Sequence, residues 1–205
     1  MPDGDGSGSP PFRGLTREPL GEKRATSARS HSGPKAGAGG EGSNPVRGEM
    51  EGAAPMDAAA IDRTLFAQVP FAQHVGAHVS AVDAESAEAV LPAAQERLNH
   101  VGTVHAVAQF GLGEVASGGL VLAAFSDLMA EGYAPVAAAA SISYVRPGRG
   151  DLRAVSQFSR ADQEAVRAQV AEAGKARFTI PIEVFDSAGQ TISEMTVEWV
   201  LLKPR

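Results

Sequence analysis

The segment Val104–Ser117 constrains this chain more than any other stretch. It is rich in Ala, Val and Leu, holds no proline, and shows no two-residue alternation. Only Gln109 and Glu114 bring strongly polar groups to it. Such a segment reads as a helix that is apolar nearly all round, and a helix of that kind belongs in the middle of a core. Gly118–Gly119 is expected to end it, with Leu120–Ala130 forming a second, short helix.

The elements around that helix read mostly as strands. Asp57 is placed to cap an opening helix, with Ile61, Leu65, Phe66 and Val69 at helical spacing and Pro70 as its stop. Val75–Val82 reads as a strand with Val75, Ala77, Val79 and Ala81 on one face. A turn over Asp83–Glu85 leads to a second strand, Ala87–Leu91, closed by Pro92. A polar loop, Ala94–His100, precedes the buried helix. After Gly132 the pattern is strand again: Val136–Val145, the turn "RPGRGD", and Leu152–Phe158. Ser159–Gly174 is polar, with mixed helical and loop character. Ala176–Phe185 places Ala176, Phe178, Ile180, Ile182 and Val184 on one face, and Thr191–Leu202 does the same with Met195, Val197, Trp199 and Leu201. Pro181 inside a strand suggests an edge or a bulge. Six strands and one apolar helix predict an α+β domain, an antiparallel sheet wrapped around a central helix.

Composition divides the chain of 205 residues in two. Met1–Pro55 carries 12 of the 23 glycines and 7 of the 13 prolines, and its charges cancel at 7 basic against 7 acidic. Beyond Phe12, Leu15, Leu20 and Val46 it offers little apolar surface to offset the entropy of ordering, so residues 1–55 are expected to be a disordered tail and 56–205 the domain. Asp3, Asp5, Glu18 and Glu22 argue against a transit peptide, and no continuous apolar core marks a secretory signal. Met50 and Met56, just before the compositional break, leave open a true start further along.

The domain then carries the whole net charge of -6. Nucleic acid needs a basic face and is not expected as a partner. The sequence has no cysteine, which excludes disulfides, thiolate nucleophiles and Cys-ligated zinc, and fits cytoplasmic residence. No apolar run is expected to reach the roughly 18 residues that span a bilayer, the longest candidate being Gly118–Met129, interrupted by Ser126 and Asp127.

The loop-to-helix junction "NHVGTVHAVAQFGLGEVASG" carries the chemistry. Asn99, Gly102, Thr103, His105 and Glu114 follow one another there, with nine residues from His105 to Glu114. The pattern resembles the hotdog-fold acyl-CoA thioesterases of the PaaI type. In those, an Asn precedes a Gly–Thr step, a His–Gly–Gly opens the central helix, and an acidic residue follows nine positions after the His. The later "SISYVRPGRGD" resembles the strand and turn that follow the helix in that family, where an aromatic residue precedes a basic one and a Pro or Ala. The resemblance covers about Leu65–Leu202. It departs at His105–Ala106–Val107, where the family has His–Gly–Gly. An N–H survives at Ala106, while the added side chains narrow the approach of a bulky thioester.

Thioester hydrolysis needs a donor aimed at the developing oxyanion and a group that activates water or attacks the carbonyl. The first turn of a helix presents unpaired N–H groups, and Ala106 lies there. A Glu on an apolar helix has a pKa liable to rise by desolvation, which suits a base. Nine residues at about 100° each give about 900° and about 13.5 Å of rise, so Glu114 faces away from His105. One helix cannot bring both to one carbonyl; two helices about a two-fold axis can. The resemblance implies the same arrangement, a site shared across a dimer interface, in a homodimer or homotetramer.

The expected roles are therefore Glu114 as base or nucleophile, Ala106 N–H as oxyanion donor, and Asn99 and His105 as orienting groups. Gly102, Thr103 and Ser117 are expected at the substrate. No cofactor or metal is called for, since CoA is part of the substrate. Each residue also has a plainer reading: Glu114 as a partly exposed helix residue, His105 as a helix-start residue bonded locally, Asn99 as a loop residue, and Ser117 as a helix-end serine. His74 and His78 are four apart, but in a segment read as strand and without a carboxylate cluster. "GLGEVASGG" lies inside a helix and not after a strand, which argues against nucleotide binding, and no Gly-x-Ser-x-Gly elbow is present. The alternative function is a non-catalytic acyl-CoA or acyl-lipid binding module, which the Ala106–Val107 replacement favours. A hotdog hydratase would resemble an Asp–His pair at short spacing on one loop, and there is none.

Overall fold

The structure, a computed structural model, describes residues Asp57–Pro204. The expectation for residues 1–55 lies outside the described residues. In chain order the elements are α1 (Ala58–Gln68), α2 (Pro70–Val75), β1 (His78–Val82), β2 (Ser86–Leu91), a single 3-10 turn (Gln95–Arg97), α3 (Ala106–Ala124), α4 (Ser126–Ala130), β3 (Ala134–Tyr144), β4 (Leu152–Gln157), α5 (Arg160–Ala173), β5 (Lys175–Asp186) and β6 (Thr191–Leu202). The strands form one sheet in the order β1-β2-β4-β5-β6-β3, antiparallel throughout. The sheet curls around α3, which packs against β1, β2, β4, β5 and β6.

The alternation read in β5 and β6 sets the register. Ile180 opposes Val197, Ile182 opposes Met195 and Phe178 opposes Trp199, and all of these side chains are buried against the helix. On α3 the core contribution comes from Leu112, Ala116 and Leu120, each fully buried. A core residue of that kind contributes roughly 1.5–3 kcal/mol by leaving water.

Several boundaries depart from expectation. Gly118–Gly119 does not end α3, which runs on to Ala124 before breaking at Phe125. Gly119 marks a close approach, since a Cβ there would come within 3.0 Å of a Val79 methyl, whereas one on Gly118 would meet Trp199 at an ordinary 3.7 Å. Pro70 ends α1 but opens α2, as the first position of a helix tolerates the missing N–H. The strand expected from Val75 therefore begins only at His78. Ser159–Gly174 is almost entirely helix, α5, capped by Ser159, whose hydroxyl accepts the Asp162 N–H. An 18-residue stretch of α3 with a mean hydropathy of 1.4 is long and apolar enough to cross a membrane, which corrects the expectation that no stretch is; 67% of that stretch is buried inside the domain, as in a core helix. Pro181 lies neither in an edge strand nor at a bulge. Its strand is internal and its register with β6 is continuous, but β4 pairing stops one residue earlier, at Ser156 opposite Ile182.

The two edges of the sheet differ. Along β1, Asp62 of α1 accepts the backbone N–H of Val79 through Oδ1 (2.8 Å) and holds Nδ1 of His78 through Oδ2 (3.2 Å). The His78 ring in turn stacks on Phe66 at 4.6 Å. Along β3, no described element pairs with the outer edge, and its 11 residues carry no charge.

Candidate active site

The loop before α3 closes on itself through Asn99. The Asn99 side-chain oxygen accepts the N–H groups of Val101 (3.0 Å) and Thr103 (3.1 Å), and its amide donates to the Thr103 hydroxyl (2.8 Å). Gly102 sits inside this turn at φ 73°, a conformation that side-chain-bearing residues rarely adopt. The loop is zipped to the β3–β4 turn: Val104 N–H donates to Gly148 O (2.9 Å) and the Arg149 guanidinium to Gly102 O (3.1 Å). Leu98 and Val104 form an isolated bridge, and His105 N–H donates to Arg97 O (2.8 Å). Arg97 itself binds Val75 O and Pro92 O, tying the loop to the end of α2.

His105 is the N-cap of α3. Its Nδ1 accepts the N–H of Val107 at 3.1 Å, so the neutral ring carries its proton on Nε2. Ala108 and Gln109 N–H both reach His105 O. In the first turn of α3, that leaves the Ala106 N–H without a partner among the described residues. The Ala106 carbonyl is engaged as well, by the Tyr144 hydroxyl at the end of β3 (3.0 Å). Partial burial of the Tyr144 phenol raises its pKa above the ordinary value, while the residue as a whole stays 48% exposed.

A cavity of about 490 Å³ opens on this corner, lined by Asn99, Thr103, Ala106, Gln109, Tyr144 and the turn Val145–Pro147 with Arg149. Arg146 and Arg149 touch backbone carbonyls but no carboxylate. Gln109 is buried; its amide donates to Val104 O (3.0 Å), while its Oε1 has no partner. Val101 and Tyr144 on the cavity lining are exposed, and so is Val107, next to Ala106 on α3, at 57%.

Glu114 lies two turns further along α3, half-buried and on the stripe that holds Val107 and Phe110. Its carboxylate has no hydrogen-bond or ion-pair partner among the described residues, and burial raises its pKa above the ordinary value. Ser117 is fully buried and its hydroxyl donates to Glu114 O (3.1 Å). Within one chain, then, the structure brings Asn99, Gly102, Thr103, His105 and Ala106 together and leaves Glu114 and Ser117 apart from them. His74 and His78 fall on different elements, α2 and β1, and the described residues hold no group of three or more metal-ligating side chains. Gln109 and the contact of Tyr144 with Ala106 were not read from the sequence. A polar residue on the sheet-facing side of an apolar helix was the available signal for Gln109. The resemblance at "SISYVRPGRGD" marked the aromatic position of Tyr144, but a contact across 38 residues gave no sign of its partner.

An antiparallel sheet curled around one long apolar helix, with a loop-to-helix cavity at its end, defines the hotdog fold. The chain belongs to the family described as Domain of unknown function (DUF4442), which it matches over residues 58–201. No curated protein matches it in sequence. Among solved structures, a Pseudomonas aeruginosa protein of unknown function, described as a probable thioesterase, superposes with a TM-score of 0.65 at 22% identity, covering 75% of this chain and 100% of its own. A Haemophilus influenzae thioesterase superposes at 0.55 and 15% identity, over 72% of this chain and 92% of its own. The Escherichia coli PaaI protein from the phenylacetic acid degradation operon gives 0.52 at 18%, over 69% and 91%. At these identities the likeness establishes the fold.

Proposed function

We propose that this protein hydrolyses an acyl-CoA thioester to the free acid and CoA, at a site formed between two copies of the chain. The observation that carries this is the Ala106 N–H, the one donor of the α3 first turn without a partner among the described residues, on a residue that lines the cavity. A preorganised N–H at a helix start is what a developing oxyanion requires. Structural neighbours named as thioesterases support the same class of reaction.

In this reading the thioester carbonyl oxygen sits on Ala106 N–H of one chain, and Glu114 of the other takes a proton from water. The water oxygen adds to the carbonyl carbon, the oxyanion collapses, the carbon–sulfur bond breaks, and the proton passes from Glu114 to the departing CoA sulfur. Attack by the carboxylate itself, followed by hydrolysis of the anhydride, uses the same geometry. Asn99, Gly102 and Thr103 hold the loop under the carbonyl, His105 caps the helix, and Ser117 braces the turn that carries Glu114. Arg146 and Arg149, free of carboxylates at the rim, suit the anionic CoA moiety. No cofactor is required.

The second copy is supported by β3. An uncharged, unpaired strand of this length is an aggregation hazard unless something covers it, and a two-fold mate covers it once. Tetramers extend the same unit. A cysteine-free chain suits the cytoplasm.

A second reading, a binding module without turnover, is favoured by the Val107 side chain, exposed next to Ala106 where the family pattern has Gly. One experiment separates them: release of free CoA from a panel of acyl-CoAs, acetyl to palmitoyl and benzoyl, beside binding on the same panel. Release supports hydrolysis, binding without release supports the module, and neither overturns both.

A further inference from the structure

Resting on that reading of the cavity, we propose that Tyr144 is a positioning residue of the site. With His105 it clamps the Ala106–Val107 peptide from both sides and thereby aims the Ala106 N–H at the substrate carbonyl.

The geometry is specific. The peptide unit is planar, so fixing its carbonyl and its N–H fixes its orientation. The carbonyl end, Ala106 O, accepts the Tyr144 hydroxyl at 3.0 Å. The N–H end, on Val107, is held by His105 Nδ1 at 3.1 Å. The Ala106 N–H itself belongs to the preceding peptide, whose carbonyl, His105 O, accepts the N–H groups of Ala108 (3.0 Å) and Gln109 (3.1 Å). Ala106 therefore joins two pinned peptides, and its own N–H is the group left free on the first of them.

Only the His105 contact is needed to satisfy the helix, since it is the cap on the Val107 N–H. Ala106 O already faces an intrahelical N–H four residues on, so the phenol adds direction and not satisfaction. Histidine is not among the preferred N-cap residues; Ser, Asn and Asp cap more strongly. The tether comes from the last residue of β3, the strand with the open outer edge, 38 residues away in sequence. Tyr144 thus links the alignment of the donor to the placement of that strand.

The test is Tyr144→Phe, which keeps the ring and removes the hydroxyl. On the panel member that wild type turns over fastest, kcat is expected to fall about 10-fold with KM and thermal midpoint unchanged, as befits one aiming hydrogen bond. The deciding measurement repeats the change in an Ala106→Pro background, where no N–H remains to aim. There Tyr144→Phe is expected to cost nothing further. An equal loss in both backgrounds, or no loss in either, overturns the proposal while leaving hydrolysis standing. If wild type releases no CoA, the hydrolytic reading fails and the clamp is read separately. A carbon-13 ketone analogue of the tightest-bound acyl-CoA, with a methylene in place of sulfur, reports the donor through its carbonyl stretch. The stretch is expected at lower frequency in wild type than in Tyr144→Phe, and an identical stretch in the two overturns the clamp.

Discussion

Replacing Ala106 by Pro deletes the proposed oxyanion donor and almost nothing else. Proline is favoured at the first position of a helix, which Ala106 occupies. It also restricts the residue before it to extended backbone, and His105 already lies there at φ −59° and ψ 142°. The Ala106 N–H has no partner to lose. The substitution should therefore leave the thermal midpoint and the oligomeric state near wild type. Removing one oxyanion donor typically costs about 10²–10³ in kcat, roughly 2.7–4 kcal/mol of barrier. Ala106→Gly, which keeps the N–H, should retain turnover. The same variant tests whether the site is shared. When equal amounts of Ala106→Pro and Glu114→Gln chains reassort at random, about half the dimers are mixed, and each mixed dimer holds one site with neither defect. Activity should recover to about one quarter of wild type, from parents that are nearly inactive. Thiol release followed with a chromogenic disulfide measures both. Wild-type kcat in Ala106→Pro would refute the donor, and verified mixed dimers without recovery would refute the two-chain site.

Glu114→Gln should lower kcat by at least about 100-fold, and it should also stabilise the fold. A carboxyl whose folded pKa is raised binds its proton more tightly when folded, so its stabilising contribution is lost as pH rises. The midpoint gain of the variant should grow from pH 4 to pH 8, and a constant difference would contradict it. Glu183 opposes Glu194 across β5 and β6, and burial, then that like charge, raise its pKa. Glu183→Gln should show the same sign and the same growth with pH in a thermal scan, without loss of activity. Ala139→Lys puts a cation on the open edge beside Glu198, its neighbour in register on β6. Light scattering at micromolar protein should fall from at least twice the chain mass of 21.1 kDa toward that mass. Gly111→Ala drives a Cβ to 2.9 Å from both Val75 methyls. The helix-propensity gain of about 1 kcal/mol should lose to about 1–3 kcal/mol of overpacking, so the midpoint should fall.

What could be read from the sequence was what period and breaker residues encode. The alternation in Ala176–Phe185 and Thr191–Leu202 located β5 and β6 and named their buried faces, because each strand has one face against the helix. The buried helix was legible for the same reason. Its far end was not, since Gly118 and Gly119 look like a stop when the neighbour that crowds Gly119, Val79, lies elsewhere in the chain. Pro70 was likewise read as an end where it is also a beginning. The α5 helix could have been found from Ser159 and Asp162 with Val166 and Val170 four apart, a signal masked by its mostly polar surface. At the site, the resemblance of the junction to the thioesterase pattern grouped Asn99, Gly102, Thr103, His105 and Ala106, which one short loop holds together. It could not place Tyr144 with them, because that residue's part depends on tertiary contact alone.

The unequal edges of the sheet fix how far assembly through strands can run. In the vocabulary of polymer chemistry, a monomer with two reactive ends propagates and one with a single reactive end terminates. Here α1 and the Asp62 carboxylate consume one end, at β1, while β3 leaves the other available. Among the described residues the sheet is therefore monofunctional, and in the proposed dimer one addition would use up its reactivity and expose only blocked termini. Loosening α1 from β1 would then raise the functionality to two and allow a filament to grow.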